Sequence, residues 1–303
     1  MFKHLLVPLD GSHLAEAALP AAAMLGQILG ADITLIHIIE QNAPSEVHGD
    51  RHLTSNDEAC TYLADVAERM LPLSLTVERH VHTTEVSNVA RSIVDHVQET
   101  DSDLIIMCTH GRMGMHSWLF GSIAQHVIAA CSCPVLVIQP PESGEFPPFV
   151  CHKILVPLDG DPDHEASLPI VSELAQACSA EIRLVTAVHK TSTLTGEMAS
   201  TARMLPSAAA AMLNLKQQGA EDYLRAHETR LKHDGRHASI STARGEPSAV
   251  IARTAKTFGA DVIVLGTHGK AGLEAFWAGS ITPKLARQTR TPILLICARG
   301  TTA

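Results

Sequence analysis

The stretch HLLVPLDG at residues 4–11 returns as KILVPLDG at residues 153–160, and this repetition decides how the chain is divided. Three more stretches return in the same order: ADITLIHI (31–38) as AEIRLVTA (180–187), DLIIMCTHG (103–111) as DVIVLGTHG (261–269), and CPVLVI (133–138) as TPILLI (291–296). The offset grows from 149 residues at Asp10 and Asp159 to 158 residues at Gly111 and Gly269, so the second copy holds nine additional residues. A period this long exceeds any solenoid unit and predicts two copies of one domain.

The segment QPPESGEFPPFV at residues 139–150 separates the two copies, and its prolines, glycine and glutamates are typical of a semi-rigid linker. We predict a first domain at 1–140, a linker at 141–150 and a second domain at 151–303. A chain of 303 residues has room for two domains of roughly 150 residues, each with its own core. The additional residues of the second copy are expected within 191–219, as a loop before a long helix that ends near Lys232.

The composition indicates a globular protein with aliphatic cores, because 46% of the residues are hydrophobic and only 3% are aromatic. A formal net charge of −9 disfavours broad binding to nucleic acid or to anionic membranes. Seven cysteines without a CxxC pair fit a reducing compartment. The start MFKHLLVPLDGS does not resemble a signal peptide, and no stretch approaches about 18 uncharged apolar residues. We therefore expect a cytoplasmic protein without a transmembrane helix.

Short runs rich in Val, Ile and Leu alternate with amphipathic stretches of helical length in both copies. The predicted strands are 4–8, 33–38, 74–79, 103–107 and 134–138 in the first copy, and 153–157, 182–187, 238–243, 261–265 and 292–296 in the second. The helices predicted in the first copy are 13–29, 56–70, 86–99 and 122–131. Apolar strands that alternate with helices are typical of a parallel sheet covered on both faces. The sequence thus predicts an α/β fold with two tandem doubly wound domains, each a five-stranded parallel sheet of order 3-2-1-4-5.

A glycine-containing segment runs in each copy from the fourth strand to the fourth helix, as CTHGRMGMHSWLFGS (108–122) and GTHGKAGLEAFWAGS (266–280). Glycines let a ligand approach the backbone closely, and the free amides of a helix N-terminus attract anions. The alternative for Ser122 is a capping box with Gln125, in which its hydroxyl only caps its own helix. Ser280 lacks this box because Pro283 follows, which leaves its hydroxyl with fewer competing roles. Neither the Rossmann nor the P-loop fingerprint is present.

Asp10 and Asp159 follow the first strand of their copies. In a doubly wound sheet, the first and fourth strands flank the switch point, where ligands bind at the carboxyl ends. Each aspartate is therefore expected to face the glycine segment across one crevice. A carboxylate suits a ribose hydroxyl or an adenine amino group, whereas backbone amides suit phosphates. The alternative is that the aspartate only shapes a turn or caps a helix.

The pattern G-x-x-G-x9-G-[ST] after DVIVL, with VPLDG at the domain start, resembles the ATP-binding universal stress protein family over nearly the whole chain. RGEPSAVI at 244–251 also resembles the G-x-P segment of that family. The resemblance implies ATP, with Mg²⁺ on its phosphates, as the ligand. It also implies pairing through the last strands, either of 134–138 with 292–296 within one molecule or in a homodimer.

The resemblance implies adenine near Asp159 and Ala187, ribose near Asp159 and Gly266, and phosphates on the glycines, on Ser280 and on the amide of Ile281. The candidate nucleotide-binding residues of the second domain are Pro157, Leu158, Asp159, Ala187, Gly266, His268, Gly269, Lys270, Gly279, Ser280 and Ile281. Those of the first domain are Leu9, Asp10, Ile38, Gly111, Gly121, Ser122 and Ile123.

The first domain departs from the family pattern, because Cys108 stands at the first glycine, and Thr84 and Val86 stand where Gly245 and Pro247 are expected. If the backbone at 108 has a positive φ, the loss of glycine costs roughly 1 kcal/mol or more. The second domain is therefore predicted to be the main ATP site. The first is expected to bind nucleotide weakly, to bind another ligand, or to act as a structural partner.

Other residues carry weaker signals. Arg112 and Lys270 either neutralise phosphate or are solvated loop cations, and His110 and His268 are expected to hydrogen-bond within the loop. His80 and His82 lie on one face of a strand, as metal ligands can, but with 18 histidines present coincidence is favoured, and no metal site is predicted.

Cys131 and Cys133 are interpreted as buried small residues. No carboxylate pair, Walker-type lysine or nucleophile elbow is visible. The predicted function is a nucleotide-dependent regulator in a stress response; a slow ATPase and a non-nucleotide interaction scaffold are the alternatives.

Overall fold

The computed structural model describes residues 1–109, 121–141, 143–190, 200, 203–267 and 280–297. These residues form two compact units. The first contains the chain up to Val150 together with a C-terminal segment that begins at Pro292. The second contains residues 151–267 and 280–291.

The first unit is a parallel sheet flanked by helices. Its strands are β1 (His4–Pro8), β2 (Asp32–Glu40), β3 (Glu46–Val47), β4 (Asp50–Arg51), β5 (Val77–Val86), β6 (Leu104–Cys108) and β7 (Val135–Ile138). Its helices are α1 (Leu19–Leu29), α2 (Asn56–Met70), α3 (Val89–Glu99) and α4 (Ser122–Ala130). The order β5-β2-β1-β6-β7 is parallel throughout, which is the predicted order 3-2-1-4-5. The two short strands β3 and β4 form a separate antiparallel hairpin that the sequence did not predict.

The second unit repeats this plan. Its strands are β8 (Lys153–Pro157), β9 (Glu181–Val188), β10 (Ala238–Arg244) and β11 (Val262–Thr267), and its helices are α5 (Pro162–Glu165), α6 (Ser167–Cys178), α7 (Pro206–His233), α8 (Pro247–Phe258) and α9 (Thr282–Ala286). The parallel order β10-β9-β8-β11 matches the first four predicted positions. The last strand, β12 (Ile293–Cys297), belongs to the first unit, where it pairs antiparallel with β7.

Apolar side chains on both faces of the central strands explain why the sheets are parallel and sandwiched between helices. In β6, Leu104, Ile105 and Ile106 are all fully buried, and Ile154 and Leu155 in β8 are equally buried. Burial of each such side chain stabilises the fold by about 1.5–3 kcal/mol. The predicted α/β fold class is confirmed.

Local signals place the helix ends. The side chain of Ser55 accepts a hydrogen bond from the Glu58 amide at the start of α2, and Glu246 accepts one from the Ala249 amide at the start of α8. Gly30 and Gly259 end α1 and α8 in the left-handed conformation that favours glycine. The predicted helix 13–29 is divided into a 3-10 turn, Ala15–Ala18, and α1, whose second residue is Pro20.

The third strand of the first repeat differs from the expected alignment. It spans β5 rather than 74–79, and its register against β2 shifts between Ile38, which pairs with His82, and Glu40, which pairs with Val86. The irregularity adds residues before α3, so this helix is capped by Asn88 instead of starting at residue 86. Because Asn88 and Glu246 are the equivalent caps, Ser87 and Val89 stand at the positions of Gly245 and Pro247. The expected placement of Thr84 and Val86 there was wrong.

Among the described helices, none is both long enough and apolar enough to span a membrane. The long helix expected in the second repeat is α7, which ends at His233, one residue beyond the expected Lys232. Residues 191–199 and 201–202 of the expected insertion lie outside the described part of the chain.

Candidate functional site

A cavity of about 730 Å³ opens in the first unit where β1, β2 and β6 end. Its wall also contains residues of the β3–β4 hairpin, one face of α3 and the first turn of α4. Of the first-domain candidates, the described ones all line it: Leu9, Asp10, Ile38, Gly121, Ser122 and Ile123. Gly111 lies outside the described residues. The carboxyl ends of parallel strands and a helix N-terminus thus meet at one space, as the doubly wound topology requires.

Asp10 shapes the turn after β1 and also lines the cavity. Its Oδ1 accepts hydrogen bonds from the backbone amide of Ser12 at 2.9 Å and from the Ser12 hydroxyl at 2.6 Å. Its Oδ2 lies 3.8 Å from His48 Nε2. The two interpretations of Asp10, as a turn residue and as a residue of the binding crevice, are compatible. One carboxylate oxygen fixes the turn, and the residue still borders the cavity.

The N-terminus of α4 also lines the cavity. Gly121, which has no side chain, is the N-cap residue, and the Gln125 amide donates to its carbonyl at 3.0 Å. Ser122 is the first helical residue, so the capping box expected from Ser122 and Gln125 does not form. The backbone amides of a first helical turn point out of the helix and carry its positive dipole end, and here that turn borders the cavity.

Buried histidines form a part of the wall that the sequence analysis missed. His37 is 1% exposed, and its Nδ1 lies 2.8 Å from the Leu9 carbonyl oxygen while its Nε2 lies 3.3 Å from that of Leu53. Burial lowers the pKa of His37, and the two backbone hydrogen bonds only partly oppose this. His52 is also buried, and its Nδ1 has no hydrogen-bond partner in the structure. Only the hairpin, which no sequence pattern indicated, brings His52 to this wall.

Cys108 lines the cavity as a buried thiol that is 4% exposed. It lies within β6, and its φ is not positive. The backbone strain that we expected from losing glycine at this position is therefore absent. Burial is the main cause that raises the pKa of the Cys108 thiol, so this group is neutral at physiological pH.

In the second unit, Asp159 is paired with a histidine. His164 Nδ1 lies 2.8 Å from Asp159 Oδ1, which also accepts from the Asp161 amide at 3.1 Å. The hydrogen bond to Asp159 raises the pKa of His164. Partial burial is the largest single influence on Asp159 and opposes its ionisation, but the hydrogen bonds from His164 and from the Asp161 amide, together with the positive charge of His164, outweigh burial and lower the pKa of the carboxyl. The two shifts favour the charged forms of the pair, a protonated His164 and an ionised Asp159.

Gly266 is required by a close backbone approach. A Cβ atom on Gly266 would lie 2.5 Å from both the Cα and the carbonyl oxygen of His164, a distance that real Cβ atoms do not show. The short helix α5 that carries His164 is also held by α7, because the Tyr223 hydroxyl donates to Glu165 at 2.7 Å. At the 149-residue offset, Ala15 is the equivalent of His164. The glycine of the second repeat therefore accommodates the α5 backbone, for which the sequence gives no local signal.

The remaining second-domain candidates are spread over this unit. Pro157 ends β8, Leu158 follows it, and Ala187 lies in β9, where it pairs with Ala243. Ile281 is the N-cap of α9, and the Ser280 hydroxyl accepts from the Thr282 amide at 3.2 Å. Ser280 thus takes part in its own helix start, contrary to our expectation. His268, Gly269, Lys270 and Gly279 fall outside the described residues, as do His110 and Arg112.

The sequence matches the universal stress protein family at residues 1–139 and again at 151–296. A curated relative, universal stress protein Rv2005c of Mycobacterium tuberculosis, is 21% identical over 299 residues, which are 96% of this chain and 95% of the relative. Universal stress protein MJ0531 of Methanocaldococcus jannaschii is 28% identical over 153 residues, 47% of this chain and 85% of its own length.

Among solved structures, a universal stress protein from Archaeoglobus fulgidus aligns with a TM-score of 0.70 at 15% identity, covering 99% of this chain and 97% of its own, which supports the fold. With both repeats matched, the chain belongs to the universal stress protein family.

Proposed function

We propose that this protein is a nucleotide-dependent regulator in a stress response, and that each repeat binds an adenine nucleotide at the carboxyl ends of its strands. The observation that supports this most directly is the cavity of the first repeat, which is lined both by Asp10 and by the N-terminus of α4. Its volume of about 730 Å³ falls within the roughly 300–1,000 Å³ of small-molecule sites.

The wall is divided between apolar and polar surfaces in a way that suits a nucleotide. Ile38, Val89, Ile93 and Met107 offer an apolar surface to a purine. The carboxylate of Asp10 would accept a hydrogen bond from a ribose hydroxyl or from the adenine amino group. The amides of the first turn of α4 would hold a phosphate, as helix N-termini do in other nucleotide sites.

The charge of the phosphates needs a source of compensation. Among the described lining residues, none is a lysine or an arginine. Helix amides together with a bound Mg²⁺ would supply the positive charge, and Asp10 and Glu40 are the described carboxylates of the wall that fit a hydrated Mg²⁺. The need to compensate the phosphate charge therefore supports ATP bound together with Mg²⁺, and not ATP without a metal ion, as the ligand.

The second repeat is proposed as the main ATP site, because it keeps the complete glycine pattern together with Ser280. Its aspartate is already paired with His164 at 2.8 Å. A nucleotide that bonds to Asp159 would have to share or replace this contact. A change at α5 upon nucleotide binding would then give the repeat two states, which a regulator requires.

We further propose that the two repeats pair through their last strands within one chain. The antiparallel pairing of β12 with β7, from Ile293 opposite Val137 to Leu295 opposite Val135, supports this arrangement. A homodimer is the alternative, and the molar mass in solution, measured by light scattering, distinguishes one chain from two. We also place the protein in the cytoplasm, in keeping with seven cysteines that form no disulfide.

One experiment separates the regulator from its alternatives. The purified chain is denatured, the released nucleotide is identified by mass, and turnover of added ATP is measured. We expect adenine nucleotide in stoichiometric amount and no turnover. Sustained hydrolysis that the Gly269→Ala variant abolishes would instead identify a slow ATPase. Absence of nucleotide, together with no thermal shift on adding ATP, would leave an interaction scaffold.

A further inference from the structure

Three histidines come together at the edge of the first repeat. His80 and His82 lie two residues apart on β5, and His96 comes from α3, which packs beside that strand. One ring nitrogen of each histidine lies within 4.8 Å of those of the other two. The Nε2 atoms of His80 and His96 are 3.1 Å apart. The sequence offered only the pair on the strand, and the third member became visible through the packing of α3.

A backbone hydrogen bond fixes the orientation of the His96 ring. Its ring is 3% exposed, and its Nδ1 lies 2.7 Å from the carbonyl oxygen of Ser92. A carbonyl can only accept a hydrogen bond, so Nδ1 must donate, and in the neutral ring the lone pair of Nε2 points toward His80. Metal-ligating histidines in proteins are held in this way, by a hydrogen bond from the other ring nitrogen.

The spacing also fits a bound ion. Two imidazole nitrogens on a tetrahedral Zn²⁺, each at about 2.0–2.1 Å from the metal, lie about 3.4 Å from each other. The 3.1 Å between His80 and His96 is close to this value. The His82 ring meets that of His96 edge-on at 5.0 Å, so a small rotation of a half-buried side chain brings its nitrogen in.

We propose that His80, His82 and His96 form a Zn²⁺ site, with the carboxylate of Glu99 as the fourth ligand. Glu99 Oε2 lies 3.4 Å from His96 Nε2, one helical turn further along α3. Three imidazoles and one carboxylate are a usual set of ligands for Zn²⁺.

The site would tie α3 to β5. Val89 and Ile93, earlier on the same helix, line the cavity. A metal ion that joins His96 to the strand therefore fixes the helix that forms one wall of the cavity. The bound ion would stabilise the folded first repeat, because the unfolded chain does not hold the three rings together.

The test must separate this site from the thiols. Cys131 Sγ and Cys133 Sγ lie 3.0 Å apart and are an alternative place for a soft metal. The full chain is stripped with a chelator and titrated with Zn²⁺ against a chromophoric competitor. The variants are His80→Gln, His82→Gln, Cys131→Ser, and a control, His233→Gln, whose side chain is 89% exposed in the second unit.

We expect one Zn²⁺ per wild-type chain, and an affinity about 100-fold lower or worse in His80→Gln and in His82→Gln. His233→Gln and Cys131→Ser should retain the wild-type affinity. Co²⁺ should give the visible bands of a tetrahedral site without thiolate charge transfer. Since His80 is exposed, we expect the histidine variants without metal to have the same melting temperature as the metal-free parent. Only the parent and the controls should gain thermal stability when Zn²⁺ is added.

Equal Zn²⁺ affinity in the parent and in both histidine variants would overturn the proposal. So would a Co²⁺ spectrum with thiolate charge transfer that Cys131→Ser removes. Failure of the parent to take up one equivalent of Zn²⁺ would overturn it as well.

Discussion

The two repeats build the end of their first strand with the same backbone and with different side chains. The Leu9 amide donates to the Ile36 carbonyl, and the Leu158 amide donates to that of Val185, both at 2.9 Å. The carbonyl after each strand is then bonded by a side chain at the equivalent position. It is His37 in the first repeat, at 2.8 Å, and Thr186 in the second, at 2.7 Å.

The same comparison explains the exchange of cysteine for glycine. In the second repeat, the backbone of His164 lies against Gly266 and leaves no room for a Cβ atom. In the first, Ala15 stands where His164 does, and both Ala15 and Cys108 line the cavity. The identity of the residue at the end of the fourth strand therefore depends on how closely the segment after the first strand approaches it, not on a left-handed backbone.

The largest contrast is expected from adding a single methyl group to Gly266. Gly266→Ala must displace α5, and we expect a loss of about 3 kcal/mol in the free energy of unfolding. The matched variant Cys108→Ala removes only a sulfur atom at an extended position and should cost about 1 kcal/mol. Urea unfolding of both variants measures the difference. Equal losses would show that the close approach of the His164 backbone does not require glycine at position 266.

The second contrast is in the response to pH. Burial holds the pKa of His37 below its value of about 6.5 in the unfolded chain. As the pH falls below that value, the unfolded state binds the proton more readily, so stability that is complete above about pH 6.5 is lost on acidification. Threonine does not titrate there, so His37→Thr should reduce this loss in urea unfolding from about pH 8 to about pH 5.

The reciprocal variant supplies the control. Thr186→His places an imidazole next to the Leu158 carbonyl in the second repeat and should make the chain more sensitive to acid. If His37→Thr and the parent lose stability in parallel over the same pH range, the titration of His37 does not contribute to the pH dependence.

The smallest effect is expected at Cys108 in the folded chain. Its thiol is buried and neutral, whereas Cys60 on α2 is exposed. Alkylation by iodoacetamide, followed by peptide mass spectrometry, should label Cys60 readily and leave Cys108 unlabelled until the protein unfolds. Early labelling of Cys108 would mean that its thiol, buried in the cavity wall, becomes exposed in the native state.

The sheet order was predictable from the alternation of apolar strands and helices, and the presence of Asp10 and the start of α4 at one cavity followed from the switch point of that order. The contacts that distinguish the repeats were not. The approach of His164 to Gly266, the shifted register before Val86 and the arrival of His96 beside His80 all depend on how separate elements pack. No periodic pattern in the sequence reports such distances between elements.

The direct test of the proposed function is a calorimetric titration of the nucleotide-free chain with Mg²⁺-ATP, carried out with the parent and with Asp10→Asn and Asp159→Asn. We expect two sites, the tighter in the second repeat. Asp159→Asn should weaken the tighter one by about tenfold or more, and Asp10→Asn only the weaker one. No binding by the parent would contradict nucleotide binding itself, and equal losses in the two variants would contradict the assigned difference between the repeats.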